Sequence, residues 1–364
     1  MPQPLSARVW TVVIFILSSV GCSDESNDRA WMATSLATDV PLEVLFPLQH
    51  SYELVENPDH VIGGITGGVV GRDGTLFLVD FPMREVKRFR PDGSFGGVVG
   101  ASGQGPGEYV APLAVALDPG RRYLGVGDVG QRRVVIYDVT SLDKPKTIAL
   151  GGPFSPHGLV LGNGDTMFVT GAVADYRSAR PYAGAMMAGG DSVLKRFLEL
   201  PKDLQQRELG NNVLLGLVSN SRRSVFMGLS GSPMFYRLSM SGRLIDSLLV
   251  PADVYRGIAL PALGEWSGGV KEMQEFARTQ EWVASIQALN DSALIVELQS
   301  YYPPDDDWRH RFLLLRWSET PDVTSTAPCQ CELVGTAGER VAVTSGDGEP
   351  YVLEWRAVKN YVSR

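Results

Sequence analysis

Asp80 and Asp128 stand 48 residues apart, and so do Phe89 and Tyr137. Each pair marks the same local pattern. Gly74-Thr75-Leu76-Phe77-Leu78-Val79-Asp80 is followed by Arg84-Glu85-Val86-Lys87-Arg88-Phe89. Arg122-Tyr123-Leu124-Gly125-Val126-Gly127-Asp128 is followed by Arg132-Arg133-Val134-Val135-Ile136-Tyr137-Asp138. Each unit reads as a short strand closing on Asp, a tight turn, and a second strand of alternating apolar residues. A period of about 40–50 residues built from strands alone is that of a propeller blade. Such a blade cannot bury its two faces by itself and packs on its neighbours around an axis. The repeat therefore constrains the architecture and leaves the chemistry open.

The weaker parts of the chain continue the pattern. Asn-Gly and Asp-Gly between apolar runs are strong hairpin signals, and they occur at Asp73-Gly74, Asp92-Gly93 and Asn163-Gly164, with Asp118-Pro119-Gly120 and Ser241-Gly242 as further turns. Six units follow, the last ending near Trp355 without an outer strand. Residues 42–46 and 52–55, ahead of the first unit, can supply it and so remove the exposed edges. The expectation is an all-β, six-bladed β-propeller of four-stranded antiparallel blades over residues 41–364, its ring closed by an N-terminal strand. The 40 Gly and 23 Pro suit the many tight turns this requires.

One segment carries a family resemblance. Gly103-Gln104-Gly105-Pro106-Gly107-Glu108-Tyr109, followed by Pro112-Leu113-Ala114-Val115-Ala116-Leu117-Asp118 and Leu124-Gly125-Val126-Gly127-Asp128, resembles the NHL repeat. That repeat has a Gly-Pro-Gly-Glu-aromatic turn, a Pro-started inner strand, and a strand closing in Ala-Asp. The resemblance is strong over residues 76–138 and fades beyond them. Gly127 stands where the family has Ala, and the third unit closes on Thr170-Gly171 in place of Asp. It implies a six-bladed propeller of the kind common among bacterial lipoproteins, with Asp80, Asp128 and Asp138 bonding backbone amides at turns.

The N-terminus reads as an export signal over residues 1–21. Arg8 precedes an apolar run of 12 residues from Val9 to Val20, short for a membrane span. Ser19-Val20-Gly21-Cys22 resembles a lipobox, although Ser19 replaces the usual Leu. The resemblance implies acylation of Cys22, and Ser23 after it implies the outer membrane or periplasm; ordinary secretion is the alternative. Residues 22–40 are polar and read as a flexible tether. With Cys22 lipidated, Cys329 and Cys331 remain as an even pair in an oxidising compartment, either disulfide-bonded or two buried thiols. Acidic residues outnumber basic by 41 to 33, which argues against nucleic acid.

Long connections mark the candidate site. Residues 171–190, 251–281 and 300–309 are expected as loops on one face, with helical spacing over 269–278. They carry Tyr176, Tyr182, Trp266, Tyr301, Tyr302 and Trp308, which suit a peptide, glycan or protein ligand or else cap the channel. The competing reading is a metal-dependent lyase or hydrolase. Pro156-His157-Gly158-Leu159 resembles a Pro-His-Ser-Leu stretch of metal-dependent amidating lyases, and His60 also precedes an inner strand. His157 and His60 would then share zinc or calcium at the channel mouth, although catalytic zinc needs a third protein ligand. Asp305-Asp306-Asp307 lacks the Gly and terminal Glu of a calcium loop and reads as a solvated tip. The leading expectation is a lipid-anchored binding propeller with no catalytic residue and no cofactor.

Overall fold

The computed structural model describes residues 29–151, 156–171, 182–190, 192–199, 215–258, 270–304, 306–345 and 351–359. The described residues open with β1 (Arg29–Met32), β2 (Thr34–Val40), the short helix α1 (Leu42–Leu45) and β3 (Leu48–Glu53). Blade one is β4 (Ile65–Val70), β5 (Leu76–Asp80), β6 (Glu85–Phe89) and β7 (Phe95–Val99). A short ribbon, β8 (Ala101–Ser102) and β9 (Glu108–Tyr109), leads to blade two: β10 (Pro112–Leu117), β11 (Tyr123–Asp128), β12 (Arg133–Asp138) and β13 (Lys146–Ala149). Blade three is β14 (Gly158–Leu161), β15 (Thr166–Thr170), β16 (Tyr182–Ala188) and β17 (Ser192–Glu199). Blade four is β18 (Gly216–Asn220), β19 (Ser224–Leu229), β20 (Met234–Ser239) and β21 (Leu244–Leu249). After α2 (Val270–Ala277) comes blade five: β22 (Glu281–Asn290), β23 (Ala293–Tyr302), β24 (Asp307–Arg316) and β25 (Asp322–Thr326). Blade six is β26 (Cys331–Ala337), β27 (Arg340–Ser345) and β28 (Val352–Ala357), completed by β3.

The blades are antiparallel meanders, and their second strands explain the apolar runs in the sequence. β5 is buried at all five positions and β19 at its first five. Neighbouring blades cover both faces of such a strand, so strict alternation disappears. The buried side chains fall into six clusters, one at each blade–blade boundary. Phe77, Val86, Tyr109 and Val126 join blades one and two. Leu76, Leu78, Val334 and Leu353 join blade six back to blade one. Closure is completed by β3, which pairs antiparallel with β28, Trp355 standing opposite His50. Residues 42–46, expected as part of this strand, instead place α1, whose Leu45 is fully buried between blades five and six.

The repeat aspartates clamp turns. Asp128 is fully buried and accepts from the N–H groups of Val110, Ala111 and Gly130. Asp80 likewise accepts from Gly63 and Met83, and pairs with the buried Lys87 at 2.7 Å. The Gly-Pro-Gly-Glu-Tyr motif is a clasp between blades one and two. Glu108 accepts from the Gly105 N–H, and the Arg133 guanidinium donates to the carbonyls of Gly105 and Glu108. Tyr109 and Tyr137 share a buried hydrogen bond of 2.6 Å. Gly100 closes this clasp at φ +76°, where a Cβ would stand 2.5 Å from both the Gly107 carbonyl oxygen and the Tyr109 ring.

Two further expectations need correction. The tether expected over residues 22–40 is ordered strand from Arg29 onward, while residues 1–28, including Cys22, lie outside the described residues. β1 pairs in parallel with β21 and β2 with β25, so both blades four and five gain a fifth, outer strand. Polar composition misleads here because an outermost strand needs one buried face and backbone partners; Ala33 and Val40 supply the buried anchors. The second correction concerns loops. Residues 182–188 are β16 and not part of a long connection, and residues 300–309 belong to a hairpin of two ten-residue strands.

Deletion of residues 29–40 should therefore expose two strand edges and lower the melting temperature by about 5 °C or more. Deletion of residues 23–28 alone should leave it unchanged. Differential scanning calorimetry of the two truncations checks this, and equal melting would show that the added strands contribute nothing.

Candidate functional site

β22, β23 and β24 are each ten residues long, about twice the length of most strands in the other blades, so blade five projects as a tongue. Alternation along these strands puts Trp282, Gln299, Tyr301, Trp308 and His310 on one face. Trp282 and Trp308 stack with ring centroids 5.7 Å apart and planes at 17°, and Tyr301 meets Trp308 edge-on at 5.6 Å. The Arg278 guanidinium, just beyond α2, lies 4.6 Å from the Tyr301 ring centroid. Trp282 Nε1 donates to Gln299 Oε1 at 3.2 Å, and Tyr301 donates its hydroxyl to Asp306. All three rings are half-buried, so each keeps accessible surface.

The tongue is braced from both sides. On its other face Arg311 forms two 2.6 Å bonds to the Glu281 carboxylate and reaches the Val254 carbonyl at 2.5 Å. Gln330 donates to Asp307 at 3.0 Å. Cys329 and Cys331 are joined by a disulfide, their Cα atoms 5.5 Å apart, and Cys329 exchanges backbone hydrogen bonds with His310. The bend that begins β26 brings the two residues closer than straight strand spacing allows.

Beneath the rings His310 and Glu297 form a buried pair at 2.9 Å. Glu297 also accepts from Ser285 Oγ and the Leu333 N–H. Burial opposes charge on the imidazole. The Glu297 hydrogen bond and the nearby Glu297, Glu332 and Asp307 carboxylates outweigh it, so the His310 pKa is raised above its ordinary value.

The expected aromatic residues are only partly gathered. Tyr301 and Trp308 meet directly. Tyr302, 47% exposed, points to the other face, with Arg309 5.6 Å from its ring centroid. Tyr182 lies on β16, packs against the boundary of blades two and three, and has Arg196 over its ring. Tyr176 and Trp266 lie outside the described residues. Trp282 is a further member that the sequence reading does not single out; its aromatic character at the start of an inner strand, next to the 251–281 connection, is the available signal.

The two histidines expected to share a metal are not brought together. His60 bonds Glu85 at 3.0 Å and stacks on Phe95, over the outer strands of blade one, whereas His157 precedes the inner strand of blade three. Among the described residues no group of three or more His, Cys, Asp or Glu side chains is placed to hold a metal ion. The cavity of the ring, about 730 Å³, opens at the opposite end of β22 from Trp282.

Comparison with known proteins agrees with this architecture. A family model described as a six-bladed beta-propeller matches residues 52–156, well under half of the chain. No curated protein matches the sequence. Among solved structures, a candidate exported protein of Bacteroides fragilis superposes with a TM-score of 0.63 at 14% identity, covering 91% of this chain and 99% of the other. A member of the duf4221 family from Bacteroides vulgatus gives a TM-score of 0.58 at 10% identity, covering 86% and 97%. At these identities the likeness establishes the fold, a six-bladed β-propeller.

The His310–Glu297 pair predicts a pH dependence of stability. Because the folded pKa is raised, its contribution is complete below the unfolded value of about 6.5 and is lost as pH rises through the folded value. Thermal melts across that window should show stability declining with pH in the parent protein and a flatter profile in His310→Gln. Parallel profiles would refute the assignment.

Proposed function

We propose that this chain is an exported, lipid-anchored, non-catalytic binding propeller that presents the tongue of blade five to a peptide, glycan or protein partner. The observation that carries the reading is the stacked Trp282–Trp308 pair with Tyr301 and Arg278 beside it. Half-buried rings on a braced support lose little entropy on binding and offer flat apolar faces with polar edges, as interface anchors do. The Gly-Pro-Gly-Glu-Tyr clasp supports a place among NHL-like propellers. The lipobox-like Ser19-Val20-Gly21-Cys22 supports the anchor, and no helix among the described residues is long and apolar enough to cross a membrane. A partner of the tongue would be met outside the cytoplasm, where a structural disulfide persists.

Glycan and peptide arrays probed with the purified mature protein test the binding role. Trp308→Ala and Trp282→Ala should each weaken capture of whichever probe binds by about 1–3 kcal/mol, with melting temperatures close to the parent. Loss of fold with retained binding would mean that the rings serve as a structural cap. For the anchor, Cys22→Ser should abolish metabolic labelling with palmitate and leave the precursor unprocessed. A parent protein that takes up no label would rule the anchor out.

A further inference from the structure

The end of the ring where the inner strands finish has a chemistry unlike that of the chain as a whole. Val69, Val115, Val218 and Leu289, from four different inner strands, line the shaft of the 730 Å³ cavity, with Gln287 and Thr336 as polar neighbours. That volume lies within the range of small-molecule sites. Around the mouth stand Arg72, Arg121, Arg222, Arg223 and Arg340, against Asp118 and Asp291 as the acidic residues among the described lining residues. The chain bearing this positive rim has a net charge of −8.

Both carboxylates are already engaged. Asp291 accepts from Ser221 Oγ at 2.5 Å and from the Arg223 N–H and Nε at 2.9 and 2.7 Å. Asp118 accepts from the backbone N–H groups of Gly120, Arg122 and Tyr123. Arg340 lies over the Trp355 ring. Arg121, held at φ 52° on the turn, donates Nη1 to the Val70 carbonyl. Arg72 and Arg222 are exposed and meet no acceptor among the described residues. Burial first, and the neighbouring Arg72 second, lower the pKa of Arg121.

We infer that this mouth binds an amphiphilic organic anion, its sulfate, phosphate or carboxylate head held by Arg72, Arg121 and Arg222 and its apolar body in the shaft. Guanidinium forks match the oxygens of such heads, and the valine-lined shaft excludes water from the body. The site lies at the far end of β22 from the aromatic tongue and does not depend on the function proposed for it.

Naphthalene-2-sulfonate is a suitable probe, because it joins one anionic head to a rigid apolar body and is fluorescent. Titration into the mature protein should show saturable binding that weakens with added salt. The double variant Arg72→Gln/Arg222→Gln, altered only at exposed positions, should bind at least about tenfold more weakly. Trp308→Ala should bind like the parent, which separates this site from the tongue. 2-Naphthol, which lacks the charge, and inorganic sulfate, which lacks the body, should each bind far more weakly than the probe. The inference is overturned if the probe does not saturate, if the double variant binds it unchanged, or if either half-probe binds as tightly.

Discussion

Each blade depends on its neighbours, because a twisted four-stranded sheet with two apolar faces cannot bury either one alone. The six clusters at the blade boundaries are therefore one continuous constraint, and the ring stands only if blade six meets blade one. β3 carries that burden: it is the outer strand of the last blade, contributed from the start of the chain. The Trp355 indole donates to the Tyr52 hydroxyl at 3.1 Å and Arg356 donates to the Phe46 carbonyl at 2.9 Å, so side chains reinforce the ladder between the two ends. A closed ring removes most exposed edges, and β1 and β2 cover two of the outer strands that remain.

Within that ring the polar groups have two different uses. Asp80, Asp128, Lys87 and Arg133 are buried and satisfy turns or one another. They hold the connections between blades in register, and removing one partner would leave another charge or several amides unsatisfied. Arg72 and Arg222, by contrast, are exposed and without such partners among the described residues, and the rings of the tongue keep accessible faces. Groups spent on structure and groups left available thus separate by burial and partnership more clearly than by residue type.

The two ends of the central axis differ as a result. Where the inner strands begin, blade five extends beyond the ring and carries aromatic rings braced by Arg311, Glu281 and the Cys329–Cys331 disulfide. Where they finish, short hairpins bring arginines from several blades around an apolar shaft. The first surface suits a partner approached from outside, the second a small molecule entering the ring.

The sequence by itself determined the blade repeat, the hairpin turns and the repeat positions of Asp80 and Asp128. All of these follow from local periodicity and turn chemistry, which act over a few residues. It also marked Tyr301 and Trp308, as aromatic residues of a connection expected to be a long loop. Only the tertiary structure decided that Trp282 stacks on Trp308, that His60 belongs to the outer strands of blade one, and that residues 29–40 are strands. It alone brought Arg72, Arg121 and Arg222 to one mouth. Those facts depend on which strand lies beside which and on which face each side chain takes, relations between residues tens to hundreds of positions apart that no local pattern encodes.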